Sequence, residues 1–345
     1  MHFTYLLWGL SLRLPEVARA RGVPSVATLT DYGLLCHRGQ MFDASLARCG
    51  GPHPPARCAR CIRTPSGAER GPLARVARAA AAEGLALVGG LGRVPVARDL
   101  AEREREVRRA FDALALALAP THALLEAFAR AGVERKKLAP LVYSFDEGPY
   151  RAARAAPPPA RHRFGFLGQF GPHKGLACLL AAARELERLA PAAEWELVLH
   201  GGPSARHRRY AREQLSSLDS RRVRVGAPFA PAEAPAVLAG LSALVAPSEW
   251  DENAPLAVLQ ARAAGRPVIA TDVPGIAEIV RAPAQGRLVP VGDAHALARA
   301  MLEVVEGELV APVEPGLPMS LDAHLARLEA LYADVVARRG SVAGG

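Results

Sequence analysis

Residues Phe164–His200 read FGFLGQFGPHKGLACLLAAARELERLAPAAEWELVLH, and this stretch decides the fold. Phe164–Leu167 is a short apolar run of strand type, broken by a turn rich in glycine. Leu176–Leu189 carries the pattern of a helix, and Trp195–His200 is a second apolar run. The alternation continues outward. Strands are expected at Val223–Val225, Ala243–Ala246, Pro267–Thr271 and Arg287–Val289, with helices at Ala205–Leu215, Pro231–Leu241, Pro255–Ala264 and Gly275–Val280. Strands separated by helices at this spacing imply an α/β class with a doubly wound parallel sheet covered on both faces. Helices over Ala294–Val305 and Leu321–Arg339 end the chain.

Upstream, residues 151–163 (RAARAAPPPARHR) place three consecutive prolines between charged, alanine-rich flanks, the composition of a semi-rigid hinge. The first half alternates less clearly. An amphipathic Leu10–Arg21 precedes an apolar Pro24–Leu29, and a loop of Gly, Pro and Cys runs to Thr64. Helices are expected near Glu69–Glu83, Arg98–Phe111 and His122–Ala131, with a strand near Leu141–Tyr143. Ala113–Leu118 alternates Ala and Leu and fits strand or helix. The expected plan is a domain over residues 1–150, a hinge over 151–163, a second domain over 164–310 and a C-terminal helix over 320–339.

Composition bounds the class. A chain of 345 residues with 50% hydrophobic content is long enough for two cores, which excludes disorder, collagen and a small disulfide scaffold. No apolar run approaches the ~20 residues that span a bilayer. Phe3–Leu12 has the length of a signal core but lacks a basic flank and a small-residue cleavage site, so a cytoplasmic setting is expected. Residues 1–163 hold 25 Lys and Arg against 14 Asp and Glu, whereas the remainder holds 18 against 20. A basic front half suits an anionic partner such as a phosphorylated substrate or membrane surface. Nucleic acid is not expected: aromatic residues are 5% and do not interleave with the basic ones.

Ligands of such sheets bind beyond the carboxyl ends of the strands. Three strand-exit loops there carry reactive groups. The first is GQFGPHKG, Gly168–Gly175, in which Lys174 stands just before a helix, where phosphate is favoured. As a single residue, Lys174 reads equally well as a solvated lysine. The second is PSEWDENAPLAVLQA, Pro247–Ala261. Capping of the next helix explains one or two acids there, but not Glu249, Asp251 and Glu252 together. The third is TDVPGIAEIV, Thr271–Val280.

In this order, the three loops resemble the donor-binding domain of glycosyltransferase family 4, a GT-B family of retaining enzymes, from Arg163 to Met301. The resemblance implies two Rossmann-like domains, the first incomplete, and transfer of a sugar from a nucleotide-sugar donor to an acceptor in polysaccharide or glycoconjugate assembly. Lys174 would then face the donor diphosphate and Glu252 a sugar hydroxyl, as the catalytic pair. Gly168, Gln169, Gly201, Gly202, Val225, Gly226, Asn253, Ala254, Pro255, Leu256 and Gln260 would line the donor site. Thr30, Asp31 and Tyr32 resemble the family's acceptor-side strand exit. Gln169 stands where the family often has Arg, Gln260 where it has a second Glu, and Thr30 where it has His. The family also carries a first strand and glycine turn before this region, so the chain reads as shortened at its front. A degenerate, non-catalytic nucleotide-sugar-binding relative acting beside a complete transferase is the alternative. The resemblance implies no cofactor for catalysis, and the acceptor, lipid-linked or otherwise, is not legible. A lipid-linked acceptor would bring peripheral membrane association.

Cys36, Cys49, Cys58 and Cys61 lie in the basic loop, the last two as CxxC. They read either as a structural zinc site or as free thiols. Cys178 is expected to be buried. Gly89–Gly92 reads as a turn, and His53, His162 and His207 as solvated.

Overall fold

The structure, a computed structural model, describes residues 1–7, 10–64, 96–157, 159–216, 221–280, 283, 285–309 and 316–342. The expected helix at Glu69–Glu83 and turn at Gly89–Gly92 lie outside the described residues. The chain divides into two compact units: Met1–Val142 with His324–Gly345, and Tyr143–Ala323. The division falls earlier than the proline run, and residues 151–155 end a helix rather than a linker.

Unit 1 holds strands β1 (His2–Phe3), β2 (Val26–Thr28), β3 (Leu116–Ala119) and β4 (Leu138–Pro140), all parallel in the order β1-β2-β3-β4. Its helices are α1 (Leu14–Ala20), α2 (Pro55–Arg63), α3 (Ala97–Ala113) and α4 (His122–Arg130). Leu116–Ala119 is buried throughout, as expected of a strand covered on both faces. The last strand sits three residues before its expected position, because Leu138 and Ala139 pair with β3 while Val142 and Tyr143 have left the sheet. Thr121 caps α4, its hydroxyl accepting from the Leu124 amide at 3.3 Å.

Unit 2 opens with α5 (Gly148–Ala155) and then runs β5 (His162–Leu167), α6 (Leu176–Leu189), β6 (Trp195–His200), α7 (Arg208–Ser216), β7 (Val223–Val225) and α8 (Ala234–Ala239). It continues with β8 (Ala243–Ala246), α9 (Leu256–Ala263), β9 (Val268–Thr271), α10 (Pro274–Ala277), β10 (Gly286–Val289) and α11 (Ala294–Val305). The six strands are parallel in the order β10-β9-β8-β5-β6-β7, which is the doubly wound Rossmann order. Side chains alternate across the sheet. Phe164 and Phe166 join one core with Leu176, Leu179, Leu186, Leu297 and Met301. The opposite face packs Leu244, Val258, Leu259, Val268 and Ile276. Fully burying each such side chain contributes about 1.5–3 kcal/mol, so the paired cores hold the strand ends in register.

The C-terminal helix α12 (Leu321–Val342) packs Leu331 and Val335 against Val26, Leu116, Leu118 and Leu141 of unit 1. The His324 imidazole and the Val142 carbonyl are 2.8 Å apart. No helix among the described residues is long and apolar enough to cross a membrane.

Candidate functional site

In unit 2 the strand order reverses between β5 and β8, so the loops that leave these neighbours diverge and open a crevice at their carboxyl ends. This is where the chemistry-bearing residues meet. Lys174 closes the loop after β5, and Gly175 behind it has φ +68°, a left-handed conformation that favours glycine. A Cβ at Gly175 would stand 1.8 Å from the Pro247 carbonyl, so the loops after β5 and β8 touch backbone to backbone. That contact brings two residues 78 positions apart together: Lys174 Nζ donates to Glu252 Oε1 at 2.6 Å.

Glu252 is deeply held, its side chain 5% exposed against 22% for Lys174. The Ser248 hydroxyl also donates to Oε1 at 2.6 Å, leaving Oε2 without a protein partner among the described residues. Thr271, at the end of β9, donates to the Ser248 carbonyl at 2.5 Å and ties down the base of the loop. Gly275 lies beneath it: a Cβ there would meet the Glu252 and Asn253 carbonyls at 2.0 Å. All three expected loops therefore converge on one carboxylate. None of the acids caps α9, whose N-cap is Pro255 with no side-chain bond.

The Lys174 ammonium also lies 5.0 Å from the centre of the Trp250 ring, a cation–π arrangement. Trp250 in turn meets the His173 ring edge to face at 5.5 Å. His173 is 3% exposed, and burial, followed by the nearby Lys174, His207 and Arg206 charges, lowers its pKa to about 3. It is neutral at physiological pH. His207 is buried as well, 3.0 Å from the Ser204 hydroxyl and packed on His173. The expectation that His207 is solvated is therefore overturned: a Cβ at Gly171 would stand 2.9 Å from both imidazoles, and the missing side chain makes their room. Burial also raises the Glu249 carboxyl.

A second part of the crevice is a cleft of about 910 Å³, open mouth included, lined by Gly168, Gln169, His200, Gly201, Gly202, Phe229 and Gln260 among others. That volume suits a ligand of nucleotide size. The expected Gly168, Gln169, Gly201, Gly202 and Gln260 line it together. Val225 and Gly226 do not: Val225 is 51% exposed, and Gly226 lies under the His200 ring, 2.6 Å from a Cβ placed there. Phe229 forms that wall instead, edge to face with His200 at 5.4 Å. Gln260 is bonded to the Tyr150 hydroxyl. Asn253 and Ala254 are buried ahead of the first turn of α9, while Leu256 is 56% exposed.

In unit 1, Asp31 accepts from the Tyr5 hydroxyl at 3.1 Å and from the Gly33 amide at 2.6 Å, and Tyr32 is 4% exposed. Thr30 precedes them at the exit of β2. The cysteines are free thiols, with Cys178 buried in unit 2, and burial raises its thiol to about 11. Among the described residues no three His, Cys, Asp or Glu stand ready-made around a metal ion.

From the sequence no role is assigned to His173, Trp250 and Phe229, which lie in loops without periodic signal, nor to His200 at the end of β6 and Tyr150 on α5, whose places in the crevice depend on the fold. The trace left by His173, His200, Phe229 and Trp250 is the density of His, Phe and Trp at the strand exits.

Residues 161–307 match a family model described as glycosyl transferases group 1. The D-inositol 3-phosphate glycosyltransferase of Corynebacterium glutamicum (strain R) is 30% identical over 183 residues, 50% of this chain and 43% of that protein. The phosphatidyl-myo-inositol mannosyltransferase of Mycolicibacterium smegmatis is 30% identical over 144 residues, 41% of this chain and 36% of that one. The chain thus spans less than half the length of these curated relatives. Among solved structures, Anabaena Alr3699/HepE in complex with UDP is similar in fold, with a TM-score of 0.56 and 16% identity over 96% of this chain and 74% of that one. The matched segment contains all three converging loops and the whole six-stranded sheet, and the chain has a GT-B-like α/β fold.

Proposed function

We propose that the protein is a retaining glycosyltransferase that moves a sugar from a nucleoside diphosphate donor to an acceptor hydroxyl in glycoconjugate assembly. The observation that carries this reading is the Lys174–Glu252 pair at the switch point, flanked by the nucleotide-sized cleft and the first turn of α9. The nucleoside occupies the cleft beside Gly168, Gln169, Gly201 and Gly202, with Phe229 against the base and Gln260 on the ribose. The diphosphate turns toward Lys174 and the amides around Ala254–Leu256, where the helix dipole favours negative charge. Glu252 Oε2 accepts from a sugar hydroxyl.

In the transfer, the bond from the anomeric carbon to the diphosphate oxygen breaks and a bond to the acceptor oxygen forms. The acceptor's proton passes to the leaving phosphate. Lys174 stabilises the charge growing on that phosphate, the contribution that fixed electrostatics makes best in a crevice shielded from water. Lysine and helix amides supply the charge that the leaving group requires, so the step needs no cofactor. A metal at the unit 1 cysteines would be structural and would take no part in the transfer.

Unit 1 receives the acceptor near Thr30, Asp31 and Tyr32. Its surplus of basic residues suits an anionic acceptor, phosphorylated or lipid-linked, at a cytoplasmic membrane surface. The test is incubation of the full chain with UDP-, GDP-, ADP- and dTDP-sugars and a membrane extract, with NMR of the product anomer. Transfer with the donor's configuration retained, abolished in Lys174→Ala, supports the reading. An inverted product, or transfer unaffected by Lys174→Ala, overturns it.

A further inference from the structure

We propose that Cys36, Cys49, Cys58 and Cys61 bind one zinc ion as a structural four-thiolate site in unit 1, independently of the transfer reaction. Four of the chain's five cysteines fall within 26 residues, and the fold brings them to one cavity from three separate segments. Cys36 lies in the turn after β2, where its amide donates to the Tyr32 carbonyl at 2.8 Å and its own carbonyl accepts from Gly39 at 2.8 Å. Cys49 leaves a small hairpin closed by the Phe42–Arg48 bridge, its amide 2.7 Å from the Met41 carbonyl. Cys58 and Cys61 lie three residues apart on α2 and so share one helix face. Cys58 feels the charges of the other three thiols, and Cys49 those of Cys36 and Cys61.

Left as thiols, these half-buried side chains gain little from their shared cavity. Four thiols gathered at one cavity bring it only weak hydrogen-bond donors. A divalent cation gives each sulfur a strong bond as thiolate, which four neutral thiols do not gain from one another. Four sulfurs are the preferred shell of tetrahedral zinc, which at a structural site leaves no open position. The cluster's surroundings fit the net negative charge of such a centre: Arg38, Arg57 and Arg60 line the same cavity, and Arg103 lies within electrostatic reach of Cys36. Among the described residues the four sulfurs are not grouped around a common point, so binding requires their side chains to turn toward one another.

The site also has a structural task. Residues between β2 and α2 form one isolated bridge and otherwise turns, yet they bury Met41, Phe42 and Ala44. A metal staples that loop to α2 and steadies the strand exit that carries Asp31 and Tyr32.

The test uses the full chain purified without a histidine tag under reducing conditions, with elemental analysis and cobalt substitution. About one zinc per chain is expected, falling below about a tenth in Cys58→Ser/Cys61→Ser and unchanged in Cys178→Ser. The cobalt-loaded wild type should show thiolate-to-metal charge-transfer absorption, which keeps the proposal testable if the double variant fails to fold. Cooperatively folded wild type without zinc and without that band overturns the proposal. So does zinc retained by the double variant, or iron with acid-labile sulfide in its place.

Discussion

Removing the Lys174 ammonium should cost unit 2 measurable stability, and the size of the loss follows from the geometry. Deleting one partner of a buried ion pair typically costs about 3–5 kcal/mol, because the remaining charge is stranded. Here Glu252 is nearly enclosed at 5% exposure, but Lys174 is 22% exposed and Ser248 still donates to Oε1. Both facts lower the cost, so Lys174→Met should destabilise by about 2–3 kcal/mol. Glu252→Gln keeps an acceptor oxygen for Ser248 and should cost about 1–2 kcal/mol. The double variant should cost less than the sum, with a coupling of about 1–2 kcal/mol. Urea unfolding followed by tryptophan fluorescence suits the measurement, since Trp195 and Trp250 both lie in unit 2 and Trp250 touches the pair. A coupling below about 0.5 kcal/mol would mean independent sites, and the reasoning from the 2.6 Å contact would fail.

Other outcomes follow from the same crevice. His173 has its pKa lowered from 6.5 to about 3, so its contribution is fully present above pH 6.5 and is lost as pH falls toward 3. The slope approaches about 1.4 kcal/mol per pH unit within that window, and comparing His173→Gln with wild type by urea unfolding at pH 7 and pH 5 should isolate it. An identical pH slope in the two proteins would contradict its buried, neutral state. Gly275→Ala should destabilise by at least about 2 kcal/mol and weaken donor binding, because its Cβ would strike the Glu252 and Asn253 carbonyls. Thermal unfolding with and without nucleotide reads both effects. Phe229→Ala should loosen nucleoside diphosphate binding about tenfold by calorimetry if the base rests on that ring.

The βαβ core was plain in the sequence: α6, β6, β7, β8 and α11 occupy the residues expected, because both-face burial leaves an unmistakable apolar record. The strand-exit loops were equally legible, since glycine, lysine and clustered acids have few reasons to stand together. What composition concealed was the loop interior. Prolines, arginines and cysteines carry little helical signal, so the sequence predicts a loop where Pro55–Arg63 forms a helix packed beside α3. His173 and His207 looked solvated or unremarkable because only the absent side chain at Gly171 gives them room. The Lys174–Glu252 contact spans 78 residues, and local pattern does not encode such a distance. The wall at Phe229 replaced the one expected at Val225 and Gly226 because β7 ends at Val225 and the chain then folds back over His200.

The most direct measurement is the thermal unfolding of the full chain against UDP, GDP, ADP and dTDP, repeated with Lys174→Ala. A ligand at 100 times its dissociation constant adds about 2.7 kcal/mol, a shift that is easily read. The account predicts a selective rise in melting temperature with one nucleotide class, reduced by at least about tenfold in affinity in Lys174→Ala. A cooperatively unfolding protein that responds to none of the four, or equally with and without Lys174, would contradict the assignment of this crevice as a donor site.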